Sequence, residues 1–195
     1  TELTVTPGFI DMHAHSDLAV ISDPQHLAKV TQGVTTEVLG QDGLSYVPSN
    51  PETLQQLRGQ LFGWNGDPEG FKWNFNTVGQ YLARVDEGAA VNVAYLIPHG
   101  TVRMVVRGNE EGVASDDELN QMSHLVETGM KEGAFGLSAG LTYVPAIYAD
   151  DREIIELCKI VAKYGGYYAP HHRNYGAKFL DAVAECLDIA EQSKS

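Results

Sequence analysis

The chain has 195 residues, with 13 Lys+Arg against 26 Asp+Glu for a formal net charge of −13, and 43% of it is hydrophobic. Only 20% of residues are charged, while 9 Tyr, 6 Phe and 2 Trp supply bulk for burial, which excludes global disorder. The acidic balance without any Lys/Arg cluster excludes nucleic acid and anionic membrane as partners, and no apolar stretch approaches the ~20 residues of a membrane span.

Cys158 and Cys186 lie far apart and outside any CxxC pair, so a disulfide framework is excluded. With no charged and apolar leader, a cytoplasmic protein is expected. The chain opens on Thr1 rather than Met, so a processed or excised piece is expected. Its length suits a single domain over 1–195.

Residues 5–12 read as a strand, and 24–32 as a short helix closed by Gly33. Residues 34–39, rich in Val and Thr, read as a second strand that ends in Gly40-Gln41-Asp42-Gly43. Residues 44–75 are irregular, with one helix at 51–61, and form an insertion over one face. Asn76 is expected to cap a helix running to Asp86, and 91–97 to form the third strand. Ser115-Asp116-Asp117-Glu118 is a capping box, followed by Leu119, Met122, Val126 and Met130 at helical spacing. Residues 134–141 give a fourth strand, 151–163 a helix, 167–171 a fifth strand and 176–191 a last helix.

Alternating apolar strands and amphipathic helices make this an α/β chain with a parallel sheet covered by helices. Five βα units fit an open doubly wound sheet or part of a TIM-like (β/α)8 barrel. A full barrel needs about 250 residues, so length alone favours the open sheet.

The motifs argue for the barrel. In Pro7-Gly8-Phe9-Ile10-Asp11-Met12-His13-Ala14-His15-Ser16-Asp17, the two histidines are two apart in an extended segment and point to the same side. They lie at the carboxyl end of a strand, where parallel α/β folds place their sites. Two neutral imidazoles there suit zinc, and a bare HxH reads equally as two surface histidines.

The whole string resembles the first barrel strand of the metal-dependent amidohydrolase superfamily. Three further segments are similar to the N-acyl-D-amino-acid deacylases, or D-aminoacylases: Thr35-Thr36-Glu37-Val38-Leu39-Gly40-Gln41-Asp42-Gly43-Leu44-Ser45, Gly133-Ala134-Phe135-Gly136-Leu137-Ser138-Ala139-Gly140-Leu141-Thr142-Tyr143, and Tyr168-Ala169-Pro170-His171-His172-Arg173-Asn174. The resemblance runs over nearly the whole chain, in the family's order.

By that resemblance His13, His15 and His171 are metal ligands, and His172 is a variable neighbour. Asp42 stands where characterised members carry a bridging cysteine in a Gly-Asn-Cys-Gly-like turn. A carboxylate can also hold Zn2+, and the alternative is that Asp42 serves only the glycine turn. Other superfamily members use a carboxylated lysine after strand four. Residues 134–141 contain no lysine, which argues against dihydroorotase-, hydantoinase- and urease-like readings. Ser138 and Tyr143 are placed to hydrogen-bond a substrate, although Tyr143 reads equally as a packing residue. Arg173 is placed to pair with a substrate carboxylate, or with a ligating one. His99, in Pro98-His99-Gly100 before Arg103, is expected to be structural or to support a ligand.

The resemblance implies a zinc-dependent hydrolase that cleaves the amide bond of a small-molecule N-acyl-D-amino acid to a carboxylate and a D-amino acid. It places the general-base aspartate after an eighth strand and another histidine ligand after a sixth. Both positions lie beyond Ser195, so no catalytic base is expected in this span and the span alone is expected to be inactive. Uncovered strand edges lead to an expectation of self-association. The alternatives are a non-catalytic metal-binding or interaction module on the same scaffold, and a small doubly wound domain with incidental histidines.

Overall fold

The computed structural model describes residues 3–195. Five parallel strands, β1 (Phe9–Asp11), β2 (Val34–Leu39), β3 (Asn92–Pro98), β4 (Gly136–Gly140) and β5 (Tyr167–His171), stand side by side in the order β1-β2-β3-β4-β5. A doubly wound sheet reverses its strand order at a switch point. Here every strand pairs with its successor in sequence, so the sheet is an arc of barrel wall. The preference for an open sheet that length suggested is thereby overturned: strand order, which length does not encode, decides.

The helices are α1 (Ala19–Ser22), α2 (Leu27–Val30), α3 (Pro51–Asn65), α4 (Val78–Asp86), α5 (His99–Arg107), α6 (Asp116–Lys131), α7 (Asp151–Lys163) and α8 (Phe179–Ser193). The capping box of α6 forms as read, with Ser115 Oγ accepting from the Glu118 amide and Glu118 accepting from the Ser115 amide. Asp150 caps α7 by accepting from the Glu153 amide at 2.9 Å. Asn50 caps α3, whose first residue is Pro51, where the missing N–H is harmless. For α4 the cap is Thr77 rather than Asn76.

Other boundaries moved for physical reasons. Only Phe9–Asp11 of the expected first strand pairs with β2. The expected 24–32 helix shortens to α2, whose C-cap is Thr31, and Gly33 at φ 81° lies in the turn that follows rather than at the cap. Helix α5 follows β3 directly where no helix was expected, and Pro98 and Gly100 fall at its first turn, where a helix tolerates them. α8 begins at Phe179, since the Asn174 side chain accepts the Gly176 and Lys178 amides and holds a turn before it.

The core lies between the sheet and the helices, with Tyr81, Leu96, Ile97, Met122, Leu137 and Leu157 fully enclosed. The 44–75 segment joins that core through aromatic rings. Tyr46 meets Trp73 at 5.0 Å, Phe75 meets Tyr81 at 5.7 Å and Tyr81 meets Tyr95 at 5.0 Å. No helix among the described residues is long and apolar enough to cross a membrane.

Candidate metal centre

The loop after β1 carries His13 and His15 and is tied down on its helix side. The His13 amide donates to Asp11 Oδ1 at 3.2 Å, while Lys29 of α2 bridges Asp11 and the buried Glu37. The hydrogen bond from Lys29 holds the Asp11 carboxyl below its usual range despite partial burial. Glu37 also accepts from Ser16 Oγ at 3.2 Å and lies 2.7 Å from His26 Nε2. A carboxylate sealed among such donors is the expected condition for burying charge.

The turn after β2 carries Asp42. Gly40, Asp42 and Gly43 all adopt positive φ, at 74°, 55° and 72°. Asp enters this region more readily than most residues, and at Gly40 nothing larger fits, because a Cβ there would lie 2.0 Å from the Leu96 carbonyl. Gly140 is needed for a related reason, as its Cβ would meet the Asp42 carbonyl at 2.0 Å. The turn is clamped from two sides. Asp17 Oδ1 accepts the Gly40 amide at 2.9 Å and the Ser45 hydroxyl at 2.6 Å, and Gln41 Nε2 donates to the Met12 carbonyl at 2.9 Å. On the other side, Ser138 of β4 accepts the Gly43 amide at 3.0 Å and donates to the Gly40 carbonyl. Burial raises the pKa of Asp17, against the hydrogen bonds from Ser45 and Gly40 that lower it.

These clamps bring the expected ligands together at the carboxyl ends of the strands. His15 Nε2 lies 3.3 Å and His13 Nε2 3.6 Å from Asp42 Oδ2, and His171 Nδ1 lies 3.4 Å from Asp42 Oδ1. Ligand atoms of His13, His15 and Asp42 all fall within 4.8 Å of one another. The carboxylate therefore stands between two histidines on one oxygen and one on the other. Burial pushes the Asp42 carboxyl up, but His15 beside it and the charges of His13 and His171 outweigh burial and leave it below its usual range. The same contact with Asp42 raises His15, against burial that lowers it.

All three nitrogen-to-oxygen separations exceed the 2.7–3.2 Å usual for an N–H···O hydrogen bond. The rings face a space shared with the carboxylate more than they pair with it. Imidazole and carboxylate donors converging in this way suit a borderline cation such as zinc.

Around this cluster the other expected residues divide. Tyr143 stands at the rim, its hydroxyl 3.5 Å from His171 Nδ1 and its ring centroid 4.7 Å from that of His171. Burial, then the negative charge of Asp42, raises its phenol pKa. Ser138, expected at the substrate, instead has its buried hydroxyl engaged beneath the Asp42 turn. Arg173, expected to meet a carboxylate of the substrate or of a ligand, pairs with Glu185 of α8 at 2.7 Å and donates to the carbonyls of Ile147 and Ala149. It pins α8 to the loop beyond β4. His172 stacks on Tyr175 with ring centroids 4.0 Å apart. His99 is fully buried, 2.6 Å from Glu153, which also pairs with Arg103.

Sequence reasoning missed three contributors. Asp17 stands two residues after His15 in the same motif, and that spacing was the available signal. Tyr175, with its ring 4.8 Å from that of His171, and Trp64, stacked on His15 at 4.4 Å, had no local signal.

A family model described as "Amidohydrolase family" matches residues 1–193. The chain belongs to the amidohydrolase family. It is 36% identical over 194 residues to a D-aminoacylase of Alcaligenes xylosoxydans xylosoxydans, covering 97% of this chain and 38% of that protein. An N-acyl-D-aspartate deacylase of the same organism is 36% identical over 192 residues, covering 97% and 37%. The crystal structure of N-acyl-D-glutamate deacylase from Bordetella bronchiseptica, complexed with zinc and a phosphonate inhibitor that mimics the tetrahedral intermediate, superposes with TM-score 0.83 at 29% identity. That superposition covers 96% of this chain and 38% of the other. The chain thus spans little more than a third of the length of these relatives.

Proposed function

We propose that this chain carries the metal-binding portion of a zinc-dependent N-acyl-D-amino-acid deacylase. The observation that supports this reading is the convergence of His13, His15 and His171 on the Asp42 carboxylate at separations of 3.3 to 3.6 Å. His13, His15, Asp42 and His171 would hold zinc, with Asp42 presenting one oxygen to the β1 histidines and the other to His171. Bound zinc supplies Lewis acidity that polarises an amide carbonyl and makes water acidic enough to ionise near neutrality.

The chain's own residues orient that chemistry. Asp17 and Ser138 fix the turn that aims the Asp42 carboxylate, and Tyr143 offers a hydroxyl at the rim to hydrogen-bond the substrate. We assign Ser138 and Arg173 to the frame rather than to the substrate, because their donors are already engaged by the protein. The substrate class, N-acyl-D-amino acids, rests on what the relatives are named for. The general base is expected from outside residues 1–195, so this span alone is expected to release no D-amino acid from an N-acyl substrate.

Metal analysis after dialysis tests the reading. The chain loaded with zinc and dialysed should retain it, and His15→Ala or Asp42→Ala should not. A chain that retains no zinc leaves the family scaffold without its metal centre and overturns the proposal. D-amino acid release by residues 1–195 alone would overturn the assignment of the base elsewhere.

A further inference from the structure

Helix α3 was expected to stop at Leu61 and instead continues to Asn65, and its last residues reach the candidate metal centre. The Trp64 indole stacks on the His15 imidazole, with ring centroids 4.4 Å apart and planes within 25° of parallel. Next to it, Asn65 Oδ1 accepts the Leu18 amide at 3.1 Å. Two successive side chains of one helix thus grip the segment that carries His15, one by its ring and one by its backbone. Trp64 remains 56% exposed, so burial of apolar surface alone does not account for its position. The aromatic contact it makes is with His15.

The His13 ring meets that of His15 edge-on at 5.1 Å, and Asp42 faces His15 Nε2 at 3.3 Å, beyond a firm hydrogen bond. An imidazole turns about a broad terminal torsion, so without a stacked neighbour its plane is free to swing. Stacking removes that freedom before a cation arrives, and ordering already made does not have to be supplied on binding.

We propose that Trp64 is a positioning residue of the metal centre, which holds the His15 imidazole in the plane that directs Nε2 toward Asp42. The inference rests on the reading of His15 as a ligand. It assigns the 44–75 insertion a part in the site, through α3, beyond covering one face of the sheet.

The chain has two tryptophans, so fluorescence can isolate the one in question. Trp73 lies elsewhere, among Tyr46 and Phe71, each 5.0 Å away. The dialysed Trp73→Phe chain, with Trp64 as its sole indole, is titrated with Co2+, whose uptake is measured in parallel by metal analysis. Emission should be quenched saturably, in step with uptake. In Trp64→Phe, uptake should persist while the remaining Trp73 emission changes far less. Competition against a chelating dye should show Co2+ affinity reduced about tenfold or more in Trp64→Ala, on the scale of other residues that orient ligands. Trp64→Phe, which keeps a stacking face, should stay near wild type.

Wild-type affinity in a folded Trp64→Ala overturns the inference. So does unmoved Trp64 emission in a Trp73→Phe chain that binds Co2+, and this measurement decides alone if Trp64→Ala does not fold. A wild-type chain that takes up no metal overturns the metal centre itself, and is thereby distinguished from a failure of the Trp64 proposal.

Discussion

Two of the molecule's histidine–carboxylate clusters differ in how closely their partners approach. Where α5 meets α7, Glu153 of α7 is sealed with His99 and Arg103 of α5, all three nearly inaccessible to solvent. Both of its oxygens are taken, one by His99 at 2.6 Å and the other by Arg103. At the rim, Asp42 faces three imidazoles, none closer than 3.3 Å, and His13 is largely open to water. The first cluster closes on both Glu153 oxygens and so braces α5 against α7, although His99 Nδ1 and Arg103 Nε have no partner among the described residues. The second leaves donors aimed at a common space. The same residue types thus make a strut or a site, according to whether the nitrogen-to-oxygen gaps are closed.

The contrast is broken or sharpened most strongly at the brace. Glu153→Ala leaves a buried guanidinium unpaired and should destabilise the chain by about 3–5 kcal/mol, read from the urea midpoint. Asp42→Ala, measured without metal, should cost much less; comparable losses in the two variants would erase the distinction.

Zinc should act only on the second cluster. At a concentration a hundred times the dissociation constant it should stabilise the wild-type chain by about 2.7 kcal/mol, and His15→Ala should abolish the gain while Glu153→Gln should retain it. Thermal unfolding with and without zinc measures both. Ser138→Ala, which leaves the Gly43 amide without its acceptor, should cost about 1–3 kcal/mol and weaken zinc retention as well. Loss of stability without loss of zinc would detach the clamp from the site.

Acid offers the finest discrimination. Burial pushes the Glu153 carboxyl up, but the hydrogen bond and charge of His99, with Arg103, pull it below its ordinary value of 4.5. A depressed carboxyl contributes stability in full above pH 4.5 and loses it as pH falls through the folded value. The gap in urea midpoint between wild type and Glu153→Gln should therefore narrow on acidification below that pH. A constant gap would mean that the carboxylate's charge contributes nothing.

What could be read from the linear chain follows from where the controlling forces are local. β2 and β5 were delimited correctly because β-branched or aromatic runs end at turn residues. The capping box of α6 is a contact within one turn. The HxH spacing already placed two imidazoles on one side, and family resemblance supplied Asp42 and His171. The extension of α3 to Trp64, helix α5, and the true partners of Ser138 and Arg173 were not legible, because each depends on a distant neighbour.

The sequence by itself determined the α/β class, the sites of most helices and strands, and the HxH spacing that makes His13 and His15 candidate ligands, since periodicity, capping and side-chain chemistry act over a few positions. Only the tertiary structure decided that the strands follow one another around an arc, that Asp42 stands between the β1 and β5 histidines, and that Trp64 covers the His15 ring. The physical reason is that these outcomes depend on close backbone approaches that glycine permits, as at Gly40 and Gly140, and on hydrogen bonds such as that between Ser138 and the Gly40–Gly43 turn, whose partners are brought together by the folded sheet.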